Sequence, residues 1–282
     1  MLKRNRDNIQ SHGKVNIFSY MYMILCVLIA LYPIIWIIMS SFKTNKEFFS
    51  NSFGLPTSFS FIGYQQALQI SPIMKFFFNS AVIAILTTLL NVFILAMAAY
   101  VIARVEFPGR RLIFSIISVS MVIPITSLLQ PLYIIINKLG LYDTKTALIL
   151  VYAALSLPMS LMILRRSFES IPRELEEAAY IDGAGFFRTF VQIMIPCAKN
   201  GLASAAVLTF LNSWNEFTFA LVLTSSASVR TLPLSLSYFK SQFSFNYTAM
   251  FAAITMAVIP SIIVFVVFQE HIITSLTAGS VK

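Results

Sequence analysis

Six apolar runs constrain this chain more than any other feature. They cover residues 17–40, 78–103, 112–136, 146–164, 202–223 and 250–268. Five contain no Asp, Glu, Lys or Arg, and the run 202–223 contains only Glu216. Each is close to the roughly 20 residues that a helix needs to cross about 30 Å of hydrocarbon. Lipid cannot satisfy open backbone groups, so the spans must be helices or a closed barrel. The alternating pattern of barrel strands is absent, and an all-α polytopic membrane protein with six transmembrane helices is expected. Composition agrees, since only 11% of residues are charged where a soluble domain carries about a quarter.

Lys and Arg set the expected orientation. With the N-terminus inside, the inner segments hold Lys3, Arg4, Arg6, Lys14, Arg104, Arg110, Arg111, Arg165, Arg166, Arg173, Arg188, Lys199 and Lys282. The outer segments hold Lys43, Lys46, Lys75, Lys138, Lys145, Arg230 and Lys240. The bias predicts a multi-pass membrane protein with both termini cytoplasmic. The net charge of +9 then reports loop asymmetry rather than nucleic acid. The basic Lys3–Arg6 stretch reads as a topology signal, and the first run as a retained anchor.

Several chemistries find no footing in the sequence. Cys26 and Cys197 lie in or beside spans without ligand spacing, so neither a metal nor a disulfide is expected. His12 and His271 form no cluster. No GxxxxGK[ST] loop is present, so the chain has no Walker motif of its own. No catalytic constellation and no cofactor are expected. The six runs do not divide into similar halves, which argues against an inverted-repeat transporter. Six spans also make a thin pathway alone, so a second membrane subunit is expected.

The segment 165–199 concentrates the acidic side chains Glu169, Glu174, Glu176, Glu177 and Asp182. Ser170 suits a helix cap and Pro172 a first turn. Glu174, Glu176 and Glu177 then lie near the positive end of the helix dipole. Ala178 and Ala179 are small enough for another protein to approach closely. Gly183 and Gly185 supply a stop. The expectation is a short helix, a sharp turn and a second amphipathic piece on the cytoplasmic face, against the plainer reading of a solvated loop.

The stretch "EAAYIDGAGFFRTFVQIMIP" resembles the signature loop of ABC-importer permeases. That pattern is Glu-Ala-Ala, three residues, Gly, nine residues, then Ile-x-Leu-Pro. Glu177, Ala178, Ala179, Gly183, Ile193 and Pro196 match it, with Ile195 in place of the usual Leu. "NSWNEFTFALVLTSSASVRTLPLSLSYF", "FPGRR" and the ending "QEHIITSLTAGSVK" are similar to carbohydrate-importer permeases of the maltose G type. The resemblance covers nearly the whole chain. It implies a subunit of a bacterial cell membrane without enzyme activity, with ATP hydrolysis in a separate protein. The implied partners are a second permease, two ATPase subunits and an extracellular solute-binding protein. It also makes Glu174, Glu177, Ala178, Ala179, Asp182 and Gly183 the candidate ATPase-coupling residues.

A candidate substrate path comes from polar residues in the fifth run. Thr209, Asn212, Asn215 with Glu216, and Phe219 recur at steps of three and four. On one continuous helix they share a face, and such a stripe should avoid lipid. Asn212, Asn215, Glu216 and Phe219 are the candidates. Hydrogen-bonding glue between helices is the plainer reading for Thr209 and Asn212. A carboxylate at depth costs about 2.5–3.5 kcal/mol, which favours function at Glu216. Trp214 lies about 200° from Asn212 at 3.6 residues per turn, and should pack against a neighbour. Pro124 and Pro131 can break the third run, and Pro33, Pro158 and Pro260 can kink others.

The expected organisation is a cytoplasmic segment over 1–16, a six-span domain over 17–268 with its coupling loop at 165–199, and a cytoplasmic tail over 269–282. The outer segments 41–77 and 224–249 are candidates for contacting a binding protein. A sugar or oligosaccharide is the leading cargo. A polyol, glycerol phosphate or peptide-like solute is the alternative cargo. A self-sufficient secondary transporter is the alternative class.

Overall fold

The computed structural model describes residues 17–239 and 246–277, with side chains to residue 270. The segments 1–16 and 278–282, with their basic residues and His12, lie outside the described residues, as does Lys240.

Every regular element among the described residues is a helix. Helix α1 (Ile17–Ser41) leads into two short helices, α2 (Asn45–Ser50) and α3 (Ile62–Ile70), and then the long α4 (Ile73–Arg104). Helices α5 (Arg110–Val119) and α6 (Leu129–Lys138) are joined by 3-10 turns, and α7 (Lys145–Glu169) follows. Next come α8 (Glu174–Ile181), α9 (Phe186–Thr189), a π turn at Phe190–Met194, α10 (Ile195–Cys197), α11 (Lys199–Asn215) and α12 (Thr218–Leu223). A 3-10 stretch at Leu232–Phe239 precedes α13 (Tyr247–Thr277).

Among the described residues, α1, α4, α7 and residues 247–270 of α13 are each long and apolar enough to cross a membrane. Two bent pairs bring the number to six if each is one span. They are Arg110–Val122 with Ile125–Lys138, bent by 102°, and Phe186–Cys197 with Lys199–Asn215, bent by 76°. Proline accounts for the first bend. Pro124 has no N–H to continue the helix, and Ile123 before it is extended, with ψ 122°. Pro131 sits in the first turn of α6, where its ring is tolerated.

Water does not drive helices together inside lipid, so close packing must do so. Small residues supply it. Ala84, Ala96, Ala99, Ala103, Ala147, Ala205, Ala252 and Ala253 are all buried between helices. At Gly201, α11 runs directly against α7, and an added Cβ would lie 2.4 Å from the Ser167 side chain. Outward faces carry exposed large apolar side chains, such as Leu28 and Ile29 in α1, Leu89 and Phe93 in α4, and Val266 and Val267 in α13, as a lipid-facing surface requires. Helix α1 is the extreme case, with only Ser40 and Ser41 buried. It meets α13 through Trp36, whose ring stands edge-on to Phe251 with centroids 5.2 Å apart.

Helix α4 sets the long dimension. Its 32 residues span about 48 Å at 1.5 Å per residue. Near its first turns, Asn79 donates to the carbonyls of Ser228 and Arg230. At its last residue, Arg104 reaches α8. The segments 41–77 and 224–239 therefore gather at one end of the bundle, and the α8 segment lies at the other.

Candidate functional site

The acidic segment folds into α8, and its helix begins later than the sequence suggests. Arg173 is the cap residue and contributes no side-chain cap. Ser170 instead closes α7, with its hydroxyl donating to the Ser167 carbonyl at 2.8 Å. The three glutamates of the first turn compensate for the missing cap by facing the helix dipole. The end of α8 is sharply defined. Gly183 has φ +81°, its N–H donates to the Tyr180 carbonyl, and Ala184 N–H donates to the Ala179 carbonyl. This is the paired arrangement in which a left-handed residue closes a helix. Gly185 has ordinary extended backbone, with φ −74°, and starts α9.

The predicted coupling residues divide between two faces. Glu174, Glu177, Ala178, Asp182 and Gly183 are exposed. Ala179 is buried by the chain's own core. The exposed set forms an acidic surface with one small residue, Ala178, at its centre.

Glu176 completes the segment from the inside. Its Oε1 lies 3.2 Å from Arg104 Nε, with side chains only 13% and 6% exposed. Arg104 Nη2 also donates to the carbonyls of Phe168, at 2.7 Å, and Ile171. One guanidinium thus joins the ends of α4, α7 and α8. Aromatic packing reinforces the joint. Tyr100 of α4 stacks on Phe190 and leans on Phe186, both with centroids 5.0 Å away.

The fifth run is not one helix, so the single polar face expected over 209–219 is not formed. Helix α11 ends at Asn215, and Glu216 is extended with ψ 129°. The break is built by Glu216 itself. Its carboxylate accepts from the amides of Phe219 at 2.8 Å and Ala220 at 3.0 Å, capping α12. It also accepts from the Tyr152 hydroxyl of α7 at 2.7 Å. A half-buried carboxylate with three donors offsets much of its desolvation.

A cavity of about 260 Å³ opens beside this break. Asn212, Glu216 and Phe219 line it, together with Tyr152, Ser156 and Thr126. Asn215 is not brought to it. Its amide donates to the Leu211 carbonyl, and its oxygen accepts from Ser261 of α13. Phe219 is 2% exposed and mainly packs the core. Thr209 is interhelical glue: its hydroxyl lies 3.1 Å from Ser160 Oγ and 3.5 Å from Asn91 Oδ1. Trp214 packs against Phe210 and Phe77, and donates to the Ala257 carbonyl. A larger cleft of about 940 Å³, lined by Arg110, Arg111 and Arg165 with Phe107 and Phe114, lies away from these groups.

Sequence reasoning missed Tyr152 and Arg104 as site residues. Tyr152 does not stand out in the sequence, and Arg104 counts there only as one inner positive charge. A lone arginine ending a long apolar run was the available signal for Arg104.

At the opposite end of the bundle the connecting segments lock together. Asn246 accepts from Asn45 at 2.9 Å and donates to Gln66 at 2.6 Å. Asp143, at φ +59°, accepts from the amides of Ser225 at 2.9 Å and Ser226 at 3.0 Å. Partial desolvation raises the Asp143 carboxyl, but those amides outweigh it and hold the group below its ordinary range. The amide of Thr57 does the same for Glu47.

Residues 97–277 match the family of the binding-protein-dependent transport system inner membrane component. The chain belongs to this family. It is a membrane-embedded permease subunit of an ABC importer. It is similar to the diacetylchitobiose uptake system permease of Streptomyces coelicolor, 36% identical over 94% of this chain and 88% of the relative. The trehalose/maltose transport system permease of Thermococcus litoralis is 37% identical over 92% of this chain and 94% of its own. A solved bacterial ABC transporter chain, involved in import of the acidic polysaccharide alginate, superposes with TM-score 0.79. It is 25% identical, covering 92% of this chain and 97% of that one. This importer permease therefore matches its relatives along nearly their full length.

Proposed function

We propose that this permease forms, with a second and different permease, the path for a sugar or oligosaccharide driven by two separate ATPase subunits. The observation that carries the reading is the α8 segment: a helix closed by Gly183, acidic and exposed on one face, and anchored by Arg104 on the other. Such an element can enter a cleft on another protein and hold its shape under load. Glu174, Glu177 and Asp182 then face basic groups on the ATPase, and Ala178 permits close approach. This end of the bundle is cytoplasmic, with both termini on the same side, as the Lys and Arg bias requires.

The opposite end, built from 41–77 and 224–239, receives the extracellular binding protein. Its side-chain locks keep the docking surface in one shape. The cavity at Glu216 supports a neutral polyhydroxylated cargo. Asn212, Ser156, Thr126 and Tyr152 offer neutral donors and acceptors, and sugar hydroxyls need several of these at once. The named cargoes of the relatives point to carbohydrate as well.

The test is uptake in proteoliposomes holding this chain, its partner permease and the ATPase subunits. Labelled di- and oligosaccharides, a polyol and a dipeptide are presented with the cognate binding protein. Saccharide uptake that needs both ATP and the binding protein is expected. Uptake driven by an ion gradient without the ATPase subunits would overturn the reading.

A further inference from the structure

We infer that Arg104 and Glu176 form the joint that carries movement of α8 to the middle of the membrane, with α4 as the lever. The inference rests on the coupling role proposed for α8, and its route is a separate matter from that role.

Two routes lead from α8 into the bundle. The covalent route runs through α9, the π turn, α10 and the 76° bend into α11. Each interruption of regular i to i−4 bonding is a place where a push is absorbed. The second route runs through Arg104 into α4. Helix α4 contains no Pro or Gly in its 32 residues. Every other described span is interrupted, by Pro33 in α1, Pro158 in α7 and Pro260 in α13, or by the 102° and 76° bends. The stiffest rod in the described bundle is therefore the one whose end is held by the coupling segment.

The geometry of the joint suits a moving part. Arg104 Nη2 is committed to the Phe168 and Ile171 carbonyls of the α7 end. Its Nε faces Glu176 Oε1 at ion-pair distance, yet neither atom completes an aligned hydrogen bond. The guanidinium is fixed to α7, and its link to α8 depends on α8's orientation. A small rotation of α8 changes that link without unpacking the core. The aromatic contacts of Tyr100 with Phe186 and Phe190 press on α4 one turn away.

The far end of the route is a buried polar node. Asn91 lies about 20 Å along α4 from Arg104, at 1.5 Å per residue. Its amide donates to the Ala153 carbonyl of α7, and its oxygen meets Thr209 of α11, which meets Ser160 of α7. Thr209 sits two turns before the break that Glu216 caps. The Ser213 hydroxyl donates to the Thr209 carbonyl at 2.8 Å, and Ser213 lines the cavity, so a shift of α4 reaches the cavity through this chain of contacts.

The experiment uses the complete transporter in proteoliposomes. Glu176→Gln keeps size and removes charge, Glu176→Asp keeps charge, and Arg104→Lys keeps charge but loses the fork. ATP hydrolysis is read per assembled complex, with and without loaded binding protein, alongside the KM for ATP and the ATPase subunits that copurify. In Glu176→Gln, copurification, basal hydrolysis and KM should stay near wild type. Stimulation by loaded binding protein should fall about fivefold to tenfold. Arg104→Lys should fall between, and Glu176→Asp should recover most of the stimulation. Wild-type stimulation per complex in Glu176→Gln and Arg104→Lys overturns the route, whatever the yield of assembled complex. If Gly183→Val abolishes stimulation while these variants do not, the route alone fails. If Gly183→Val is also silent, the coupling role of α8 fails with it.

Discussion

The Tyr152 hydroxyl lies 2.7 Å from Glu216 Oε2, and this contact ties the middle of α7 to the break between α11 and α12. Without Glu216 the break would leave the Phe219 and Ala220 amides and the Tyr152 hydroxyl without this acceptor. With it, one acid joins two helices and shapes the wall of a cavity. The chain therefore breaks between α11 and α12 with the first amides of α12 paired.

Glu216→Gln should retain the fold and lower uptake. A glutamine has one acceptor oxygen for three donors, so at least one bond is lost, at about 1–2 kcal/mol. Tyr152→Phe removes one donor only and should cost about 1 kcal/mol. Thermal unfolding in detergent and saccharide uptake, measured on both, should rank Glu216→Gln as the more damaging. Equal uptake in Glu216→Gln and wild type would remove this residue from the path.

The end of the bundle that holds Asp143 should depend on this carboxyl's titration only in acid. The Asp143 carboxyl is held below its ordinary value of 3.8. A depressed carboxyl stabilises the fold above the unfolded value and loses that contribution as pH falls through the folded one. The contribution of Asp143 to the melting temperature should thus be constant from neutrality to about pH 5, and the gap between wild type and Asp143→Ala should narrow below about pH 4. At pH 7, Asp143→Ala should cost about 1–2 kcal/mol, from two lost amide bonds and a left-handed alanine. Asp143→Asn keeps an acceptor and tolerates the angle, so it should be milder.

The chain purified alone should hydrolyse no ATP, since it has no phosphate-cradling loop. Phosphate release from contaminant-free subunit, tested against a Walker-lysine variant of the ATPase as the source of any signal, checks this. Activity that persists with the variant ATPase would contradict the division of labour.

Much of the architecture was legible because it is local. Apolar run length marked the spans, Pro124 marked the broken third span, and Gly183 marked the end of α8. Periodicity misled at the fifth run, because hydrophobicity continues unbroken through Glu216 while the backbone does not. Glu216 caps a helix three residues later, and no pattern of polar spacing distinguishes that from a continuous stripe. Ser170 looked like the start of α8 but serves the end of α7, since Ser suits either place. The Arg104–Glu176 pair joins residues far apart in the sequence, and one sequence carries no trace of such pairing.

The central claim is that α8 docks on an ATPase and transmits its closure, and Gly183→Val tests it most directly. An added Cβ at position 183 meets nothing within 4 Å, so sterics are silent and only the φ of +81° is opposed. The cost to the α8 turn should be about 1–2 kcal/mol. Insertion should be normal, because no span is touched, and solute binding to the extracellular partner should persist. In reconstituted membranes, the variant should lose both pull-down of the ATPase subunits and the rise in hydrolysis on adding loaded binding protein. Wild-type pull-down together with wild-type stimulation in Gly183→Val would contradict the account.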